Sequence, residues 1–208
     1  GKFRRQRQMC IRDRYMDLSL QMYGNVILRK KAKEITDFNA DLKLLSEKMF
    51  DVMYQARGIG LAAEQVGRIE RLFIIDIPPS SDMDENGNRE NPSVQMPLVF
   101  INPVIISHSE ETIKGIEGCL SFPGITTEIE RWSEVYAEYQ DIEGKAQKIH
   151  AKGLLSRAIQ HELDHLNGVL FIDRMPPMKK LLIDGKLKKL YKKTKNCLLY
   201  TSDAADET

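Results

Sequence analysis

Between residues 37 and 57 the apolar side chains Leu42, Leu45, Met49, Val52, Met53 and Ala56 recur at steps of three, four, three, one and three. That spacing predicts an amphipathic helix, with Asp37 or Asn39 to cap its start and Gly58 to end it. Residues 71–77 and 97–106 are rich in β-branched and aromatic side chains and read as strands. The Pro-, Ser-, Asp-, Asn- and Gly-containing stretch 78–96 between them reads as a long exposed loop. Val135, Ala137 and Tyr139 alternate within 134–140, and the turn Asp141-Ile142-Glu143-Gly144 leads into 145–151, an antiparallel hairpin. A second helix is predicted from about Leu154 to Asn167, burying Leu154, Leu155, Ala158, Ile159, Leu163 and Leu166 and stopped by Gly168. Residues 170–174 read as a short strand ending in an ion pair, and Pro176-Pro177 opens a third helix to about Lys195. The predicted class is α+β in one domain, with antiparallel sheets packed around a central helix and a C-terminal helix.

The chain has 208 residues, enough to bury a sizeable core without disulfides. No apolar run approaches the roughly 18 residues of a membrane span, and the formal net charge of +1 supplies no overall field toward nucleic acid. No sequence-specific nucleic-acid binding and no membrane partner are expected.

Both termini read as foreign to the domain. Residues 4–14 can be encoded by codons whose reverse complement, in another frame, encodes residues 197–207. That DNA resembles a transposase adapter used in sequencing libraries. Segments 1–14 and 197–208 are therefore expected to be adapter-derived tails around a domain at 15–196, starting at Met16 or Met22. Without those tails Cys119 is the only cysteine, which fits a reducing cytoplasm and makes it a candidate for chemistry or metal.

The strongest chemical signal is His161-Glu162-Leu163-Asp164-His165 on the second predicted helix. Histidines four apart share one helix face and can reach one metal, with Glu162 beside the open position as proton carrier. A solvated helix face is the alternative, and a third ligand decides between them. The extended zinc-protease pattern fails because Phe171 stands where its third histidine belongs, and no Glu follows Glu162 before Glu207. Asp173 remains a candidate, as does Cys119 in Glu117-Gly118-Cys119-Leu120-Ser121. A lone cysteine is often a small buried hydrophobe, yet Gly118 and Pro123-Gly124 make this segment turn-like. Sulfur plus two imidazoles leaves one position for water, as in hydrolytic sites, whereas His108 or His150 as a fourth ligand would make a structural site. The third motif, Gly58-Ile59-Gly60-Leu61-Ala62-Ala63-Glu64-Gln65, follows a helix and precedes a strand, the reverse of a dinucleotide fingerprint. It suits either tight packing or backbone approach to an extended substrate.

Together and in this order, the three motifs resemble the peptide deformylase family over roughly residues 23–195. The resemblance implies an α+β hydrolase that removes the formyl group from the N-terminal formylmethionine of nascent polypeptides, releasing formate. It implies one divalent metal, natively Fe(II) with Zn or Ni able to occupy the site, held by Cys119, His161 and His165. By motif position Glu162 would be general base and then acid, and Gln65 with the Leu120 backbone N–H would stabilise the oxyanion. Ile59 and Gly60 would pair with the substrate strand, and Ile59, Glu117, Leu154 and His161 would lie near the methionine pocket. Two features depart from the pattern: Glu64 stands where proline is frequent, and the 78–96 loop is longer than in compact members. Residues 175–196 carry eight Lys against Asp184, and in this family a basic C-terminal helix resembles a ribosome-docking element. A solvated face is the alternative reading.

Overall fold

The computed structural model describes residues 18–203, with side chains through Asn196. The proposed tail 1–14 lies outside the described residues. Helix α1 (Ala40–Gln55) is capped by Asn39, whose Oδ1 accepts from Asp41 N and Leu42 N at 3.0 Å. Asp37 instead accepts from the Asn39 amide. Leu42, Leu45, Met49 and Met53 are buried, as the stripe predicts. The left-handed residue that ends the helix is Arg57, at φ 56°, and not Gly58. Gly58 is needed for space: a Cβ there would stand 2.7 Å from Leu120 Cδ1.

Five strands form one antiparallel sheet in the order β1-β2-β3-β6-β7: β1 (Gly60–Ala62), β2 (Leu72–Ile75), β3 (Leu98–His108), β6 (Glu134–Gln140) and β7 (Ala146–Lys152). The predicted hairpin pairs Glu134 with Lys152 through Gln140 with Ala146. β4 (Thr112–Gly118) and β5 (Thr126–Trp132) make a separate two-stranded sheet. Helix α2 (Gly153–Leu166) and the long α3 (Pro177–Asp203) complete the α+β fold.

β2 explains its own unbroken apolar run, because both of its faces are covered. Leu72 and Ile74 pack with α1, whereas Phe73 and Ile75 join Leu155, Ile159 and Leu166 of α2. A strand packed on both sides gains nothing from alternation. A third cluster joins Phe122, Ile125 and Ile129 to Phe171 and to Leu187 of α3.

Three further expectations are corrected. Residues Phe171–Asp173 form a 3-10 turn rather than a strand, and Asp173 pairs with Arg29 and Lys180 rather than with its neighbour Arg174. α3 runs past Lys195 to Asp203, across the boundary of the expected second tail. The 78–96 loop is not simply exposed: Asp82 and Asn91 are buried, and Asp82 accepts from Arg89 and Asn91. Asn91 in turn bridges the backbone N and O of Lys152 at 3.0 and 3.2 Å. Lys152 opens α2 without capping it through its own side chain, so the loop braces that helix from outside. Among the described residues no helix is long and apolar enough to cross a membrane.

Candidate active site

α2 is buried nearly all round, so its polar residues face protein rather than water. Ser156, Gln160, His161, Glu162, Asp164 and His165 are all buried. Gln160 ties the helix to the end of β5, accepting from Trp132 N and donating to Trp132 O. Gly168, at φ 73°, closes the helix, its N–H donated to His165 O at 2.9 Å.

Cys119 sits on the turn that follows β4. The ligand atoms of Cys119, His161 and His165 lie within 4.8 Å of one another. Cys119 Sγ is 3.3 Å from His165 Nε2. His161 gives Nδ1 to Glu117 Oε2 at 3.0 Å, which leaves its Nε2 for the cluster. One sulfur and two imidazole nitrogens suit a divalent transition metal, and a carboxylate orienting a ligating histidine is the usual outer partner of such a site. Asp173, His108 and His150 are not part of the cluster. His108 stacks on Trp132 and His150 on Tyr136, with His150 bonded to Glu134, so the two histidines weighed as a fourth ligand are committed elsewhere.

Glu117 is the hub of a buried charge network that motif reading assigned to substrate contact alone. It accepts from Arg131 Nε and Nη2 at 2.9 and 3.0 Å and from Arg157 Nη1 at 2.8 Å. Arg131 reaches on to Asp164 at 2.6 Å, and Asp164 accepts from Arg174 at the same distance. Burial alone would raise the Glu117 carboxyl, but the bonds from His161 and Arg131 outweigh it and hold the group far below the usual carboxylate range. Arg131, Arg157, Asp164 and Arg174 were not singled out from the sequence. The one available hint was Asp164 inside the histidine motif.

Burial pushes Glu162 up to about 7. Its Oε2 is buried without a hydrogen-bond partner, while Oε1 would lie 2.5 Å from a Cβ placed on Gly60. Only glycine at position 60 lets β1 pass this close to the carboxylate. The Gln65 amide is fixed in direction: Oε1 accepts from Ala62 N at 2.8 Å, and Nε2 faces Cys119 Sγ and Ser121 Oγ, both at 3.3 Å. Ile59, Gly60, Gln65, Glu117, Cys119, Leu120, Leu154, His161 and Glu162 all line one cleft of about 600 Å³, and His165 is buried behind it.

Glu64, beside Gln65, is fully buried, and neither carboxylate oxygen has a hydrogen-bond partner. Burial pushes its pKa up to about 8, with the charges of Glu162 and Glu70 adding and that of Arg71 opposing. Folded protein thus keeps a proton that the unfolded chain releases near 4.5, so this residue's contribution is most favourable at low pH and declines as pH rises from about 4.5 to 8, by on the order of 5 kcal/mol. Glu64→Gln removes the titration. Thermal unfolding should show the variant gaining on the parent between pH 5 and pH 8.5, and equal differences at both pH values would disprove a buried neutral Glu64.

A helix-borne histidine pair, a cysteine from a separate turn and an adjacent buried glutamate, set in a mixed α+β fold, define a metal-dependent hydrolase. The polypeptide deformylase family model matches residues 18–181. Peptide deformylase of Thermodesulfovibrio yellowstonii is 43% identical over 171 residues, covering 82% of this chain and 96% of that protein. Peptide deformylase of Thermotoga maritima is 42% identical over 168 residues, covering 81% and 93%. Among solved structures, peptide deformylase from Plasmodium falciparum superposes with a TM-score of 0.76 at 40% identity, covering 86% of this chain and 98% of that one. The Thermus thermophilus enzyme gives 0.73 at 34%, covering 86% and 99%. The chain belongs to the polypeptide deformylase family, and its activity is the family's hydrolytic removal of the N-formyl group from nascent polypeptides.

Proposed function

We propose that Cys119, His161 and His165 hold one divalent ion, Fe(II) in the cell with Zn or Ni able to replace it, and that the substrate is a peptide beginning with formylmethionine. The observation that carries this reading is the convergence of the cluster, the unpartnered Glu162 Oε2 and the directed Gln65 amide in one cleft. A bound ion supplies Lewis acidity that lowers the pKa of a water and polarises the formyl oxygen.

The chain's own residues do the rest. Glu162 takes the water's proton on Oε2 and hands it to the leaving amine nitrogen, and burial suits its pKa to both transfers. Gln65 Nε2 and the Leu120 backbone N–H meet the developing oxyanion, where one such donor contributes about 3 kcal/mol. Glu117, charged and braced by Arg131, keeps His161 oriented. Ile59 and Gly60 pair with the substrate backbone, and Ile59, Glu117 and Leu154 shape the methionine pocket. The products are formate and a free amino terminus.

The deciding experiment is formate release from a formyl-Met peptide by metal-loaded protein. Cleavage of internal amide bonds without formate would replace this reading with a zinc peptidase, and metal binding without any hydrolysis would replace it with a structural module.

The catalytic domain is proposed to be 15–196, acting in the cytoplasm. Deleting residues 1–14 and 197–208 should leave turnover and melting temperature unchanged within error, and a large loss of either would refute the tail assignment. The lysines of α3 are proposed to dock the enzyme on the ribosome. Lys179 and Lys180 pair with Glu128 and Asp173, and Lys188 pairs within the helix with Asp184, so part of the charge is already used. Binding should weaken with added salt, and reversing Lys188, Lys189, Lys192 and Lys193 to Glu should abolish it. Undiminished co-sedimentation of that variant with ribosomes would refute the docking role.

A further inference from the structure

Residues 18–22, ahead of the turn at Tyr23-Gly24 and the first 3-10 turn (Val26–Arg29), run as a strap along the site. Gln21 N donates to Gln65 O at 2.7 Å, and Tyr23 N donates to Ser121 O at 2.9 Å. Those two acceptors belong to the segments that carry the Gln65 amide and the Cys119–Leu120 turn. The Tyr23 ring fixes the far end, stacked on Phe122 with centroids 4.8 Å apart and edge-on to Tyr191 at 6.1 Å. Anchored at alternate positions, the strap turns Leu20 and Met22 into the wall of the catalytic cleft, where they line it with Gly58, Leu120 and Pro123.

Neither side chain is spent on the core. Leu20 only borders the α1 cluster, and Met22 joins none of the three clusters. A half-buried methionine facing a cleft is an adaptable apolar surface. The cleft, at about 600 Å³, is also larger than one methionine side chain occupies, with His161 of the donor cluster and the strap residues lining the same space.

We propose that Leu20 and Met22 are specificity-determining residues: they contact the apolar side chains that follow formylmethionine in the substrate, and the strap's two backbone bonds hold that wall in register with Gln65 and Ser121. The inference rests on the deformylase reading and deepens it.

The test uses the full chain carrying Leu20→Ala, Met22→Ala, both together, and Met22→Leu, each assayed for metal content, melting temperature, kcat and KM. Substrates are formyl-Met-Gly-Gly and formyl-Met-Leu-Leu peptides. The double variant should lose about 10-fold in kcat/KM on the leucine peptide, mainly through KM, as expected for an apolar contact removed from a binding pocket. On the glycine peptide it should stay within about 2-fold, and Met22→Leu, which keeps an apolar side chain there, should hold most of the parent's kcat/KM on the leucine peptide. Equal losses on both peptides would mean a purely structural strap, and no loss on either would mean no contact; both overturn the proposal. Absence of formate release by the unsubstituted protein on both peptides would instead overturn the deformylase reading, and this inference with it.

Discussion

Glu162→Ala should bind metal like the parent protein and lose roughly 10²- to 10⁴-fold in turnover, the contribution of one positioned acid–base group. Cys119→Ala should fail differently, losing the metal itself. The division follows from placement. Cys119 Sγ is within the three-donor cluster, whereas Glu162 is outside it, with one oxygen against Gly60 and the other unpartnered. Metal content and formate release measured on the same preparations decide the matter. Near-normal turnover by a fully loaded Glu162→Ala protein would remove Glu162 from the mechanism. Unchanged metal affinity in Cys119→Ala would remove the sulfur from the ligand set, and Asp173, His108 and His150 could replace it only by leaving their present partners.

Arg131→Leu should be the most damaging single change away from the cluster. The residue is 5% exposed, and its guanidinium joins Glu117 to Asp164. Removing it leaves Asp164 with the half-exposed Arg174 and takes two of the four bonds that hold Glu117. Breaking a buried ion pair by deleting one partner costs about 3–5 kcal/mol, which for a domain of this size lowers the melting temperature by about 10 °C. Because Glu117 orients His161, metal affinity should also fall by roughly 10- to 100-fold. Thermal unfolding and a metal titration check both parts. A melting temperature within 2–3 °C of the parent would show that the network is not carrying the charge balance assigned to it.

The elements that were legible are those whose burial is one-sided or whose turns are chemically marked. α1 shows its stripe because its other face meets water, and the β6–β7 hairpin shows its register because the 141–144 turn is marked by Asp141, which accepts from Glu143 N and Lys145 N. β4 and β5 escaped because most of what they turn inward is charged: Glu117 and Arg131 are buried there beside Ile129 alone, while Ile113 and Ile116 are exposed. A hydrophobic reading inverts such a ribbon. β1 escaped because three residues buried on every side show no alternation.

The sequence by itself determined the reaction class. Histidines four apart with a glutamate between them share a helix face whatever surrounds that helix, and the glycine and cysteine motifs complete the deformylase pattern. It also determined that α2 is a helix and that its apolar stripe faces the core. Only the tertiary structure decided which distant segments meet around that helix. The Cys119 turn lies 42 residues upstream of His161, Arg131 comes from a ribbon whose other face is exposed, and the segment of Leu20 and Met22 joins the same cleft from far upstream of α2. The reason is physical: helical periodicity is a local constraint written in neighbouring residues, whereas a buried charge network and a cleft wall depend on which distant segments share the same low-dielectric space.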